Sequence, residues 1–278
     1  LLAFNIFAKL LLYLIVTDES RDKYMYEKIK QTLTEVEKNN GINILYAAES
    51  GSRGWGFESL DSDYDCRFIY INSKEFYLSI DEGKDYIELP VDKVYDVNGW
   101  DLKKVLKAIR KSNPTVIEWL NSPIVYTEKE DFKKEIMELC NEYFDETLTI
   151  YHYLHIARKK LDEVSNEQYS KLKKYFYILR PLFACCWVMD NKSIPPMEFE
   201  PLYKNMKLDI QQKEEIDRLL DLKKVSNESE LIQRSEVIVA YAEALIIDCE
   251  QYLKDNRKGS NKDSDRLNKF FIKWLERK

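Results

Sequence analysis

Apolar positions along this chain follow two regimes that meet near residue 126. Before that point short apolar runs alternate with helical stripes, and beyond it helical spacing persists almost to the C-terminus. From Tyr26, the residues Ile29, Leu33 and Val36 recur at helical spacing, and Asn39, Asn40 and Gly41 supply a stop, which predicts a short amphipathic helix. Residues 42–48 (INILYAA) form a compact apolar run bounded by turn residues, too short for a helix and suited to a buried strand. Residues 63–71 (DYDCRFIYI) alternate with period two, so a second strand places Asp63, Asp65, Arg67, Ile69 and Ile71 on one face. Residues 93–97 (KVYDV) predict a later strand with Val94 and Asp96 on a common face. Leu102, Val105, Leu106 and Ile109 mark a helix, started by Asn98 or Asp101 and closed at Asn113 and Pro114 before a further helical stretch holding Ile117, Trp119 and Leu120.

Past Tyr126 the strand signals fade into charged segments of helical periodicity, with breaks expected near Asp145, Ser165, the Pro195-Pro196 pair and residues 207–209. The polar run 255–265 reads as a loop. The expected fold class is therefore α+β: a mixed sheet flanked by helices over residues 25–126, the catalytic candidate, followed by a helical substrate or accessory domain over 127–278. A chain of 278 residues with 45% hydrophobic content has enough apolar material for two such bodies.

Residues 1–24 stand apart. The first sixteen are apolar except Asn5 and Lys9, yet they fall short of the ~20 residues of a spanning helix, and no small-residue cleavage site follows before Thr17. No membrane partner is expected. Because the first well-patterned helix begins at Met25, the expectation is that Met25 is the initiator and that the preceding residues are not native and belong to no element.

Charge narrows the partners. Lys and Arg total 43 against 49 for Asp and Glu, a net charge of -6, so no overall positive field draws the chain to a nucleic-acid backbone, although a local basic groove stays open. Cys66, Cys140, Cys185, Cys186 and Cys249 are scattered and lack a CxxC pair, which argues against a disulfide framework and a zinc site and for a reducing cytoplasm. His152 and His155 read as a helix surface and core pair, since no second pair exists for them to join as metal ligands.

The candidate chemistry lies between the first two strands. Residues 49–57 read ESGSRGWGF and hold Gly51, Gly54 and Gly56, three of the seven glycines in the chain. Gly51-Ser52 is followed, after ten intervening residues, by Asp63-Tyr64-Asp65. A glycine turn after a strand aims backbone N–H groups and a small hydroxyl at a triphosphate, while aspartates at i and i+2 of a strand project in parallel and suit divalent cations. Two such ions roughly 3.5 to 4 Å apart would activate an attacking hydroxyl and stabilise a leaving pyrophosphate, normally with a third carboxylate from a neighbouring strand. Asp61, Asp63 and Asp65 also imitate the start of a calcium-binding EF-hand loop, but Cys66 stands where its glycine belongs and Asn72 where its bidentate glutamate belongs, so that reading fails. Trp55 and Phe57 either stack on a base or wedge the turn against the core, and Arg67 either binds phosphate or pairs with Asp65. Lys173, Tyr177 and Arg180 fall at i, i+4 and i+7, a polar stripe opposite Phe176, Leu179 and Phe183 that is either a solvated face or one turned to the catalytic domain.

The pattern of strand, Gly-Ser, ten residues and Asp-x-Asp resembles the DNA polymerase β-like nucleotidyltransferases, including the kanamycin-modifying and tRNA CCA-adding enzymes. The strings ESGSRGWGFESLDSDYDCRFIYI (49–71), NGWDLKKVLKAIRKSNP (98–114), EWLNSPIVY (118–126) and KKYFYILRPLFACCWV (173–188) look more specifically like the RNA-ligase-associated predicted nucleotidyltransferases. The similarity covers most of the chain from Met25 onward. It implies that Ser52 and the Gly51 backbone contact the β- and γ-phosphates of an NTP and that Asp63 and Asp65 hold two Mg²⁺ ions, with Mn²⁺ as substitute. A third carboxylate, as ligand or base, matches Asp96 best; Asp101 is the rival, since a carboxylate there already serves the helix start, and Asp92 is a weaker option. The stripe Lys173, Tyr177 and Arg180 is then expected to touch nucleotide or acceptor. The implied reaction moves an NMP to a hydroxyl, with an RNA end favoured by the family's association with RNA repair and with a protein or small-molecule hydroxyl as alternatives. A non-catalytic nucleotide-binding or toxin-neutralising module of the same fold competes with it. A ribonuclease in the helical half is disfavoured because no His follows an Arg at the short spacing such enzymes use. Neither the motif nor the composition specifies an oligomeric state.

Overall fold

The computed structural model describes residues 2–59, 61–90, 94–256 and 263–277, with side chains from residue 20 onward. Helix α1 (Leu2–Asn40) leads into strand β1 (Asn43–Glu49), the one-turn helix α2 (Gly51–Trp55) and strand β2 (Tyr64–Ile71). A short helix α3 (Lys74–Leu78) and strand β3 (Tyr86–Glu88) precede β4 (Tyr95–Asp101), which runs into α4 (Leu102–Arg110) and α5 (Pro114–Leu120). Strand β5 (Val125–Glu128) is followed by α6 (Phe132–Glu142), α7 (Glu146–Ser165), β6 (Tyr169–Lys171) and α8 (Leu172–Asn191). The remainder comprises α9 (Phe199–Lys204), α10 (Ile210–Val225), β7 (Leu231–Gln233), α11 (Glu236–Asp255) and α12 (Asp265–Glu276).

The strands β3-β4-β2-β1-β5 form one mixed sheet. Only β2 and β4 run parallel, and the other neighbours pair antiparallel. Alternation along the strands sends apolar side chains to both faces. On one face Tyr64, Cys66, Phe68 and Tyr70 of β2 meet Met25, Ile29, Leu33 and Val36 of α1. On the other, Ile69 and Ile71 join Leu102, Val105 and Ile109 of α4, Trp119 of α5, Phe132 of α6 and Trp274 of α12. A third core, built from α7 to α11, centres on α8, whose residues Tyr175, Phe176, Leu179, Leu182 and Phe183 are buried, and it receives Phe57 from the loop after α2. The α+β class expected from the sequence is the architecture the chain adopts.

Several expectations need correction. The helix expected to start at Tyr26 already runs from Leu2, so the residues before Met25 do belong to an element. Its physical basis is simple: residues 2–40 contain neither Gly nor Pro, and the helix stops only where Gly41 adopts a positive φ of 62°. Among the described residues no helix is long and apolar enough to cross a membrane. Strand β2 begins at Tyr64, one residue past Asp63. The third strand extends through Asp101, while Lys93, at the start of the expected segment, and residues 257–262 of the polar run lie outside the described residues. The short elements α3 and β3 were not expected, and the later half is not purely helical, because β6 and β7 pair antiparallel within it.

Gly99 holds β4 close to β2. It lies opposite Phe68 in the parallel register, and a Cβ placed there would come within 2.1 Å of the Phe68 ring. Phe68 is itself fully buried, so the ring has nowhere to retreat. Gly99→Ala is therefore expected to cost about 1–3 kcal/mol of unfolding free energy, the usual penalty of overpacking a core, as measured by urea denaturation.

Candidate active site

Three carboxylates and one glycine turn define the site. Gly51 starts α2 with φ 61°, and a Cβ built on it would lie 2.1 Å from Asp65 Oδ2, so a residue other than glycine is excluded twice, by conformation and by space. The turn is tied to β2 through the main chain of Asp65. Its carbonyl accepts the Ser50 N–H at 2.8 Å, and its own N–H donates to Glu49 Oε1 at 2.7 Å.

Parallel pairing of β2 and β4 sets Asp65 directly opposite Asp96. Between them stands Arg67, whose Nη2 donates to Asp65 Oδ1 at 2.9 Å and to Asp96 Oδ2 at 2.8 Å, while Nη1 donates to the carbonyls of Cys66 and Asp96 at 3.1 and 3.2 Å. Of the two roles open to Arg67, the ion pair is the one present. Burial holds the Asp65 carboxyl above the usual carboxylate range, Arg67 opposes the shift, and Asp96, Asp63 and Glu228 add to it. Asp101 has other work. At 1% exposure it accepts the Lys103 N–H at 2.8 Å as the cap of α4, the Tyr77 hydroxyl at 2.6 Å and Asn72 Nδ2 at 2.8 Å. The structure thus puts Asp96, and not Asp101, beside Asp65; Asp92 lies outside the described residues.

Asp63 is exposed in a cleft of about 450 Å³ whose walls include Arg21, Asp61, Lys171, Lys173 and Glu228. Its carboxyl is raised by burial and by the nearby Glu228 and Asp61, and lowered by Lys173 and Arg21. Glu228, from the segment between α10 and β7, is the main contribution that sequence reasoning missed. It accepts Lys173 Nζ at 2.6 Å and Ser62 Oγ at 3.2 Å, and its N–H donates to Asp61 Oδ1 at 2.8 Å. The polar run Ser226-Asn227-Glu228-Ser229 carried the turn signal that marks this break.

The remaining candidates divide. Ser52 is 7% exposed and donates to Ser62 Oγ at 3.0 Å, so its hydroxyl is turned toward Ser62 and away from the phosphate role expected of it. Lys173 reaches the cleft. Tyr177 packs edge-on against Trp55 with ring centroids 5.0 Å apart, and its hydroxyl is pushed up to about 12 by burial first and then by Asp65 and Glu228. Arg180 is 2% exposed and locked. Its Nη1 donates to Glu118 Oε1 at 2.8 Å, its Nε donates to the Met197 carbonyl at 2.9 Å, and its guanidinium lies 4.7 Å from the centre of the Trp55 ring. The stripe therefore does face the half that holds the five-stranded sheet, but Arg180 joins α8 to α5 and is closed to solvent. Phe57 stacks on Phe176 at 4.8 Å, which favours the packing role for the aromatic pair. His155 is exposed and His152 half-buried on α7.

Among the described residues no group of three or more His, Cys, Asp or Glu stands close enough to hold a metal ion. The reason is local: the Arg67 guanidinium occupies the space between Asp65 and Asp96, and Asp63 faces the Lys173–Glu228 pair.

Comparison with known proteins bears on this arrangement. Residues 25–273 match the model of the RlaP family, described as the RNA repair pathway DNA polymerase beta family. The chain belongs to that family. A relative from Bacillus subtilis (strain 168), the uncharacterized protein YcgL, is 39% identical over 246 residues, covering 87% of this chain and 95% of the relative. A nucleotidyltransferase-like protein of known structure from Exiguobacterium sibiricum 255-15 is 12% identical, with 89% of each chain covered and a TM-score of 0.34. For this member of the RNA repair pathway DNA polymerase beta family, the Gly51 turn, Asp63 and Asp65 all lie within the matched span, as does Asp96.

Two outcomes follow from this geometry. Gly51→Ala should leave the protein folded by circular dichroism yet displace Asp65 and abolish whatever activity the site supports. Glu49 is fully buried and its carboxyl is raised to about 7, first by burial, with bonds from Tyr126 and Asp65 opposing. A carboxyl that titrates higher in the folded than in the unfolded chain gives stability that is complete below its unfolded value near 4.5 and is lost as pH rises through about 7. Glu49→Gln should therefore become steadily more stable than wild type between pH 4.5 and 7 in metal-free buffer, by roughly 1.4 kcal/mol for each unit separating the two values, when both are followed by denaturant titration.

Proposed function

We propose that this chain transfers a nucleoside monophosphate from an NTP to a hydroxyl acceptor, releasing pyrophosphate. The observation that carries the reading is the level placement of Asp65 and Asp96 on parallel neighbours, with the Gly51 backbone pressed against the Asp65 carboxylate. The backbone N–H groups of the turn after Gly51 bind phosphate oxygens, and Lys173, once released from Glu228, supplies positive charge from the cleft beside Asp63. Asp63, Asp65 and Asp96 offer only carboxylate oxygens, the donor set suited to Mg²⁺, two ions in all, with Mn²⁺ as substitute. Asp65 and Asp96 already share one cationic group, and their use as ligands requires the Arg67 guanidinium to leave, which frees it for the phosphates. When bound, the cations lower the pKa of the attacking hydroxyl and neutralise charge on the departing pyrophosphate. In this reading Asp96 accepts the proton of that hydroxyl, and Tyr177 stands near Asp65 and Arg67.

An RNA end is the acceptor this reading favours. The family takes its description from an RNA repair pathway. Five free, buried cysteines suit a reducing compartment, so we place the protein in the cytoplasm. A second reading, a nucleotide-binding module without turnover, is favoured by one observation: Arg67 already neutralises the two carboxylates that metal would need.

The test is incubation with each α-labelled NTP, Mg²⁺ or Mn²⁺, and RNA, protein or small-molecule acceptors, beside an Asp63→Ala, Asp65→Ala double variant. Wild type should label an RNA 3′ end, and the double variant should fold normally and transfer nothing. Nucleotide binding by wild type without transfer to any acceptor would select the second reading, and equal transfer by both proteins would remove the site assignment.

A further inference from the structure

Glu49 is a buried acid with no role in the reaction as described so far. It ends β1, is fully buried, and its carboxylate accepts the Tyr126 hydroxyl on Oε2 and the Asp65 N–H on Oε1, the latter at 2.7 Å. Tyr126 belongs to the core beneath α1, with its ring 5.3 Å from that of Tyr26. The Asp65 side chain emerges on the other face, the one that carries Arg67 and Ile69. Glu49 thus reaches Asp65 from behind the sheet.

We propose that Glu49 is a positioning residue that sets the Asp65 carboxylate against the Gly51 turn, acting through the Asp65 backbone amide. The inference rests on the nucleotidyl-transfer reading. Both main-chain polar groups of Asp65 are held by one dipeptide, Glu49 through its side chain and Ser50 through its N–H at 2.8 Å, and Gly51 comes next in the chain. Turn and carboxylate are thereby fastened to each other at a separation that a single added Cβ would violate. Tyr126 fixes the remaining oxygen and so the orientation of the whole carboxylate. Burying a charged or protonated carboxyl without solvent is unfavourable, and an apolar side chain would fill the same volume at less cost. What the carboxyl adds is a pair of acceptors aimed at two donors on different strands, β2 and β5. Removing a partner that orients a metal ligand typically costs about 10–100-fold in metal affinity.

The test uses the full chain carrying Glu49→Ala, Glu49→Gln or Tyr126→Phe, with Mn²⁺ as the probe followed by electron paramagnetic resonance. In Glu49→Ala, Mn²⁺ affinity is expected to fall about 10–100-fold, the range for loss of a group that orients a ligand. Its kcat for label transfer should drop while KM for the NTP holds, and the Asp65 amide should exchange hydrogen faster. Glu49→Gln keeps an Oε1 acceptor for that amide and should restore most of the affinity, a rescue that loss of packing alone would not produce. Should Glu49→Ala fail to fold, Tyr126→Phe leaves the core filled and should show the same faster exchange at Asp65 with a smaller loss of Mn²⁺ affinity. Folded variants with wild-type Mn²⁺ affinity and kcat overturn the inference alone. A wild-type protein that neither binds Mn²⁺ nor transfers label overturns the functional reading as well, and does so before any substitution is made.

Discussion

The parallel register between β2 and β4 is the constraint on which the site depends. In a parallel pair the side chains of opposed residues project to the same face at the same height, so placing Asp65 opposite Asp96 brings two carboxylates together without help from any loop. A slip of one residue would send one of them to the opposite face, into the core beneath α1. That register is supported by packing: Phe68 lies over Gly99 three residues further along, where a Cβ would meet its ring. The same ladder delivers Asp101 to the cap of α4, so the strand that presents Asp96 also launches a helix that covers the same face of the sheet.

Gathering acids at one end of a sheet is electrostatically unfavourable, and the fold answers it in layers. Arg67 lies between Asp65 and Asp96, and Lys173 balances Glu228 beside Asp63. Glu49 is separated from both pairs by the sheet and has hydrogen-bond donors where they have cations. The carboxyls of Asp63 and Asp65 are still raised, by burial first and by the neighbouring acids after it. A site arranged in this way holds negative charge that is only partly compensated, a condition that favours cationic ligands.

Much of this was legible in the sequence because it is local. Period-two alternation gave away β2, the compact run 42–48 gave away β1, and Asn113-Pro114 marked the junction of α4 and α5. The capping use of Asp101 could be read too, because an acid at a helix start accepts backbone N–H groups, and Asp101 does cap α4. What stayed hidden depends on contacts between distant residues. Nothing in the spacing of Ser52 reveals that Ser62 will take its hydroxyl, and nothing near Arg180 names Glu118, 62 positions away, as its partner. Helical spacing could show that Lys173, Tyr177 and Arg180 share a face, but it could not show that one end of that face would be sealed. Strands of three residues, such as β3, β6 and β7, are too short to display a period at all.

Helix α12 leaves the helical half and returns to the sheet. Trp274 meets Phe132 edge-on at 4.9 Å and donates to Glu135, which also holds Lys273, while Phe271 covers Tyr77. The bundle of α7 to α11 is thus an insertion within the layer that covers the sheet. During synthesis the acids of β2 and β4 emerge from the ribosome early, but the hydrophobic layer on their own face of the sheet stays open until α12 has been made. Maturation of the site is in this sense timed by α12, about two hundred residues after β2.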